Sequence, residues 1–232
     1  MAGSPCGLCR RLLVAWIVAV VAVLAPGRAT AAPEVETRDF TVFVDGKPSG
    51  DVHMTLNKQE DGSIIVTCDT DINVAIGIGP LKKKFTYSYR GREVWKTGKL
   101  QRFDSNCNDD GKRCAVGAVI EDDKLRVRVN SDEKLVPGTV WLSSYWSMPD
   151  NDRINQTVGI LEADTGLLLS SKVQFMGVEQ RTIAGQAQKV NHFRLLGRGQ
   201  VDLWYDVSGR LVSQDWVEEG HRTQVELNRL RR

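Results

Sequence analysis

Three histidines in a chain of 232 residues leave little that ionises near neutrality. None of them, His53, His192 or His221, stands in an H-E-x-x-H pattern, and there is no G-x-S-x-G nucleophile elbow. Those absences remove the zinc peptidases and the α/β-hydrolases, so no catalytic residue is named and the chain is not read as an enzyme. Neither G-x-G-x-x-G nor G-x-x-x-x-G-K-[ST] occurs; the glycine-rich run INVAIGIGPL at 72–81 closes on Pro80 and reads as a bent strand whose Ile76 could line a ligand mouth. The run DTDIN at 69–73 lacks the later glycine and glutamate of a calcium loop. No metal site and no cofactor are expected.

A long apolar run occurs once, LLVAWIVAVVAVLA from Leu12 to Ala25, behind Arg10-Arg11 and ahead of Ala29-Thr30-Ala31. Its length of about 14 residues is short of the roughly 20 that span a bilayer. A basic head, an apolar centre and an A-x-A end spell a cleaved secretory signal over residues 1–31, leaving 32–232 as one exported domain with no transmembrane segment. Cys6 and Cys9 precede the run, where a lipid-modified cysteine would follow it. Removing Arg10, Arg11 and Arg28 leaves 28 basic against 29 acidic side chains. A balance this even excludes a nucleic-acid surface.

What the chain does have is alternation. Phe40, Val42 and Val44; Val52, Met54 and Leu56; Phe85, Tyr87 and Tyr89; Leu125, Val127 and Val129; and Val201, Leu203 and Tyr205 all recur at period two. Turn signals separate the runs: Asp45-Gly46, Asp61-Gly62, Thr97-Gly98, Asp110-Gly111, Ser208-Gly209 and Glu219-Gly220. This is the grammar of an antiparallel meander with one buried face. The pattern breaks once, after Pro137-Gly138, where Trp141, Tyr145 and Trp146 fall at i, i+4 and i+5 before Pro149, the spacing of a short helix with an aromatic face. The fold expected is mainly β: a single strongly curved antiparallel sheet, a half-barrel of about a dozen strands, with that helix packed on its concave face.

Three cysteines remain after export, Cys68, Cys107 and Cys114. With Asp110-Gly111 as a two-residue turn, Cys107 and Cys114 face each other across the hairpin, within disulfide reach at a hydrogen-bonded pair. A Cys107–Cys114 bridge is the preferred reading in an oxidising compartment, and a metal site the weaker one, because no histidine lies near. Cys68, in the apolar run IIVTC, reads as a buried thiol.

The stretches YRGREVWKTGKL, DSNCNDDGK and GQAQKVNHFRLLGRGQVDLWYDVSGRLV, above all Asp202 to Asp206 with Gly209 to Val212, resemble a family of secreted bacterial proteins of unknown function. That family is similar in turn to the curved β-sheet of the periplasmic lipoprotein carriers LolA and LolB. The resemblance implies a bent sheet, a periplasmic location and a concavity able to take an acyl chain, and it carries no ligand residue over. Three functions are weighed. The first is non-catalytic binding of a lipid or other apolar ligand, with Trp141, Tyr145 and Trp146 as a cover and Phe85, Tyr87 and Ile76 as lining. The second is a structural or accessory role in the envelope through a protein partner. The third is an enzyme, which would require His192 to meet a carboxylate.

Overall fold

A computed structural model describes residues 34–76 and 83–232 of the chain. The expected signal and the glycine-rich residues 77–82 lie outside it. The first eight strands are β1 (Glu34–Val44), β2 (Lys47–Lys58), β3 (Ile64–Ile76), β4 (Lys83–Lys96), β5 (Lys99–Asp109), β6 (Lys112–Glu121), β7 (Lys124–Val129) and β8 (Asp132–Pro137). Seven more follow: β9 (Trp141–Leu142), β10 (Thr157–Leu161), β11 (Leu168–Ile183), β12 (Gln186–Leu196), β13 (Gln200–Asp206), β14 (Leu211–Glu218) and β15 (His221–Arg231). All fifteen belong to one sheet, in the order β8-β7-β6-β5-β4-β3-β2-β1-β15-β14-β13-β12-β11-β10-β9.

The order dictates a curl. β8 and β9 are the two edges of the sheet, yet only Gly138, Thr139 and Val140 separate them in sequence. A flat sheet of fifteen strands would hold its edges roughly 67 Å apart at ~4.8 Å per strand, whereas a link of four peptide units reaches about 14 Å at most. The sheet therefore wraps round on itself, and its first and last strands meet in the middle, with Val42 opposite Val225 and Phe40 opposite Leu227.

Local chemistry explains the hairpins. Asp45-Gly46, Thr97-Gly98, Asp110-Gly111, Ala184-Gly185 and Glu219-Gly220 all hold both residues at positive φ, the geometry that matches a two-residue turn to the twist of its strands. Alternation then sorts the faces. Along β5, Phe103, Ser105 and Cys107 are buried while Arg102, Asp104 and Asn106 face water. The inward residues of β1 to β7 merge with Val140, Leu142, Leu161 and Ala163 into one apolar cluster, and a second cluster gathers Trp141, Tyr145 and Ile160 with Phe193, Leu203 and Tyr205.

Two expectations are corrected. There are fifteen strands rather than about a dozen, and β8 and β9 lie where the alternating pattern announces none. The expected helix at Thr139 to Ser147 is absent, and no helix occurs among the described residues. Trp141-Leu142 instead pairs in parallel with Ile160-Leu161, and Tyr145 turns to φ +45°, a conformation a right-handed helix excludes. The aromatic spacing arises because Trp141 and Trp146 answer to different partners, not to one helical face.

Candidate functional site

The concavity is occupied by the chain itself. From Gly138 to Gly166 the antiparallel meander gives way to the short strands β9 and β10 and the loops around them, and the polar anchors of this segment come from strands far away in sequence. Ser105 Oγ of β5 donates to the Ala163 carbonyl at 2.6 Å in a buried bond, and Tyr87 Oη of β4 donates to Asp164 Oδ2 at 3.2 Å. From the other side Tyr205 Oη donates to the Tyr145 carbonyl at 3.1 Å, and the Met148 N–H donates to the Gly209 carbonyl at 2.9 Å. Arg38, 3% exposed, donates Nη1 to the Trp146 carbonyl. Gly166 closes the segment against β6 and β7: it holds φ +68°, and a Cβ there would stand 2.4 Å from Val129 Cγ2, so only glycine fits.

The residues expected to bind a ligand are mostly spent on this packing. Trp141 and Tyr145 are 3% and 6% exposed and meet edge to face at 5.0 Å. Trp146 packs instead against Trp95 of β4 at 5.9 Å. Tyr87 is committed to Asp164, and burial pushes its hydroxyl pKa far up. Phe85 lies further along the same face of β4 under the Lys83 ammonium, 4.3 Å from its ring centre. The side chain of Ile76 lies outside the described residues. The structure thus joins Trp141 to Tyr145 and separates Trp146 and Phe85 from them.

Sequence reasoning missed Glu93, the one carboxylate at the heart of this interface. It is 1% exposed, on the inner face of β4. Its Oε2 accepts the Trp95 indole N–H at 2.6 Å, while its Oε1, the Tyr89 hydroxyl and the Ser144 hydroxyl are all buried without a partner among the described residues. Tyr89 Oη lies over Gly91, where a Cβ would come within 2.1 Å of it. Burial raises the Glu93 pKa from 4.5 to about 7 against the opposing pull of Trp95, Ser144 and Trp146. The signal was available: glutamate in EVW occupies an inward position of an alternating strand.

Cys107 and Cys114 do face each other in the β5–β6 register, as the turn implied, but both are free thiols in this structure. Burial pushes Cys107 up to about 11. Cys68 is buried, as expected, and raised to about 12 by desolvation. His53 on the outer face and His221 beside the β14–β15 turn are paired with Asp39 and Asp45 at 2.6 and 2.7 Å.

His192 does meet a carboxylate, with Nε2 2.7 Å from Asp202 Oδ1. Its ring is stacked on Trp204 at 4.6 Å, and Trp204 is covered on its other side by the Arg181 guanidinium at 3.9 Å and held by Glu179. Burial opposes the charge on Asp202, but bonds from Arg194, His192 and Gln200 keep its pKa below the usual range. The Asp202 carboxylate is thus shared among three donors beside a ring stacked on an indole.

The family-motif residues are framework too. Asp206 accepts the N–H groups of Ser208 and Arg210, at 2.8 and 3.1 Å, and the Arg210 Nε at 2.7 Å, closing the β13–β14 turn. Arg210 then reaches Glu36 of β1 at 3.4 Å. Glu36 also holds Arg38 at 2.7 Å and Arg232 at 3.2 Å. Beside this knot, at one mouth of the curled sheet, lies a depression of about 190 Å³ whose floor includes Leu56 and Ile64. A second, of about 290 Å³, sits on the outer face among Ser88, Arg90, Asn106, Asn108 and Arg113. Both are shallower than the pockets of roughly 300 Å³ and more that enclose a drug-sized molecule.

Residues 40–228 match the family described as domain of unknown function DUF6134. The chain belongs to that family. No curated protein matches it. Among solved structures, it is similar to the crystal structure of a β-barrel-like protein of the domain of unknown function DUF1849 from Brucella abortus, with a TM-score of 0.59 at 10% identity over 86% of this chain and 97% of that one. At that identity the likeness speaks for the fold alone. These matches bear out the resemblance to a family of unknown function.

Proposed function

We propose that this DUF6134 member is a non-catalytic protein of the bacterial cell envelope that binds its ligand or partner at its surface, not an apolar molecule within the curled sheet. The observation that carries the reading is the occupied concavity: Trp141, Leu142, Tyr145 and Leu161 take the places an acyl chain would need. An acyl carrier keeps an apolar cavity, and its ligand must outcompete water there, not a packed segment of the protein itself. The secretory pattern expected at residues 1–31, together with the family resemblance, supports the periplasmic setting. The test is mass spectrometry of an organic extract of protein purified from its own compartment. An extract without stoichiometric lipid is expected; one lipid per chain would restore the carrier reading, with the Gly138 to Gly166 segment displaced.

A further inference from the structure

At the charged knot by the mouth, cationic donors outnumber acceptors, and the surplus lines a depression. Exposed pairs such as Arg102 with Asp104 and Lys96 with Asp61 are balanced one to one. At the mouth, both oxygens of Glu36 are taken by Arg38, Arg210 and Arg232, and Asp206 is taken by its own turn and by Arg210. Three cationic groups on the same depression then lack an acceptor among the described residues: Arg38 Nη2, the terminal nitrogens of Arg232, and Lys58 Nζ. Glu34 is the remaining carboxylate side chain on its lining. It stands opposite Lys58 in the β1–β2 register yet forms no ion pair there.

Arg38 makes this more than a solvated surface. Its guanidinium is 3% exposed, and burial pushes its pKa down against the pull of Glu36. A buried guanidinium edge aimed at a depression gains most from a second anion, because a charge-assisted bond replaces incomplete solvation. The floor under these cations is apolar, with Leu56 8% exposed and Ile64 beside it. At ~30 Å³ per water, a depression of about 190 Å³ has room for an oxyanion head with a few carbons attached.

We propose that the mouth between β1, β2 and the β13–β14 turn binds a small anionic amphiphile, its carboxylate or phosphate on Arg38, Lys58 and Arg232 and its first carbons on Leu56 and Ile64. The proposal rests on the reading of a surface-binding protein and names the ligand chemistry of that surface. Glu34 competes with the ligand for Lys58. Arg38 serves both the ligand and the seating of Trp146.

The experiment is calorimetric titration of the mature chain at low ionic strength with octyl phosphate, octanoate and inorganic phosphate. Saturable one-site binding is expected for octyl phosphate or octanoate, with whichever is tighter naming the head group, and weaker binding for inorganic phosphate. Glu34→Gln should tighten binding several-fold, and Lys58→Gln with Arg232→Gln should weaken it about tenfold or more, the magnitude of losing a charge-assisted bond of ~1.4 kcal/mol. These three side chains carry no part of the core, so melting temperatures should hold. Absence of saturable binding by all three probes would overturn the proposal, as would indifference to the Lys58 and Arg232 substitutions, or equal affinity for phosphate and octyl phosphate. Such a failure would leave the organic extract unaffected, so the two readings fall separately.

Discussion

The β5–β6 hairpin and the Gly138 to Gly166 segment lie against each other in the folded protein, and they are specified in opposite ways. The hairpin is local. Asp110-Gly111 supplies the turn, alternation supplies the buried face, and the paired residues run outward from the turn, from Asp109 opposite Lys112 to Arg102 opposite Val119. The segment is specified from a distance. Its anchors on Arg38, Tyr87, Ser105 and Tyr205 lie 108, 77, 58 and 60 residues away. A hairpin can therefore form before the sheet closes, whereas the segment has nothing to seat on until β1, β4, β5 and β13 are in place.

The largest way to sharpen that contrast is to cut into the segment's core. Leu142 and Leu161 are both fully buried, so Leu142→Ala or Leu161→Ala should cost about 3 kcal/mol, the usual range for a buried leucine. Urea melts would read it, and a loss below about 1 kcal/mol would mean the segment is loosely held.

A comparable effect is expected from pH, through Glu93. The carboxyl titrates near 4.5 when unfolded and near about 7 when buried, so folding favours the protonated form. Stability from this group is complete below pH 4.5, declines as pH rises, and is lost once pH has passed about 7. The difference of about 2.5 units corresponds to about 3 kcal/mol. Its surroundings offer no compensating charge: Cys68 and Tyr89 are neutral at these pH values, and Ser144 and Trp146 carry none. Glu93→Gln should flatten the dependence between pH 5 and 8 in parallel denaturant melts; an unchanged slope would assign the titration elsewhere.

The hairpin should respond least. Mild oxidation should join Cys107 to Cys114 while Cys68 stays reduced, seen by intact mass and peptide mapping. Because Cys107 titrates near about 11, the reaction should be slow at neutral pH and quicken with alkalinity. Closing so short a loop adds about 2 kcal/mol at best, less any strain from a hydrogen-bonded pair. Failure of the two thiols to join under any oxidant would contradict the register.

That contrast also explains what could be read in advance. Thr97-Gly98, Asp110-Gly111 and Glu219-Gly220 announce their turns because φ above zero at adjacent positions demands such residues, and the curled, mainly β sheet follows from them. The Trp141, Tyr145 and Trp146 spacing misleads because period reports only local geometry, while these rings are placed by Ile160, Tyr205 and Trp95. Glu93 was legible as an inward position in a strand; its burial under Ser144 and Trp146 was not. Arg210 was visible as part of a motif, but its reach to Glu36, 174 residues away, belongs to the closed sheet.

Hydrogen exchange across Ser143 to Gly166, followed by mass spectrometry at neutral pH, tests the central claim that the chain fills its own concavity. Ser143, Tyr145, Met148 and Gly166 all donate their backbone N–H groups to carbonyls, so the segment should exchange on the time scale of β5 and β13. Exchange within seconds across the whole segment, while those strands remain protected, would make it a lid over a ligand cavity and contradict the account.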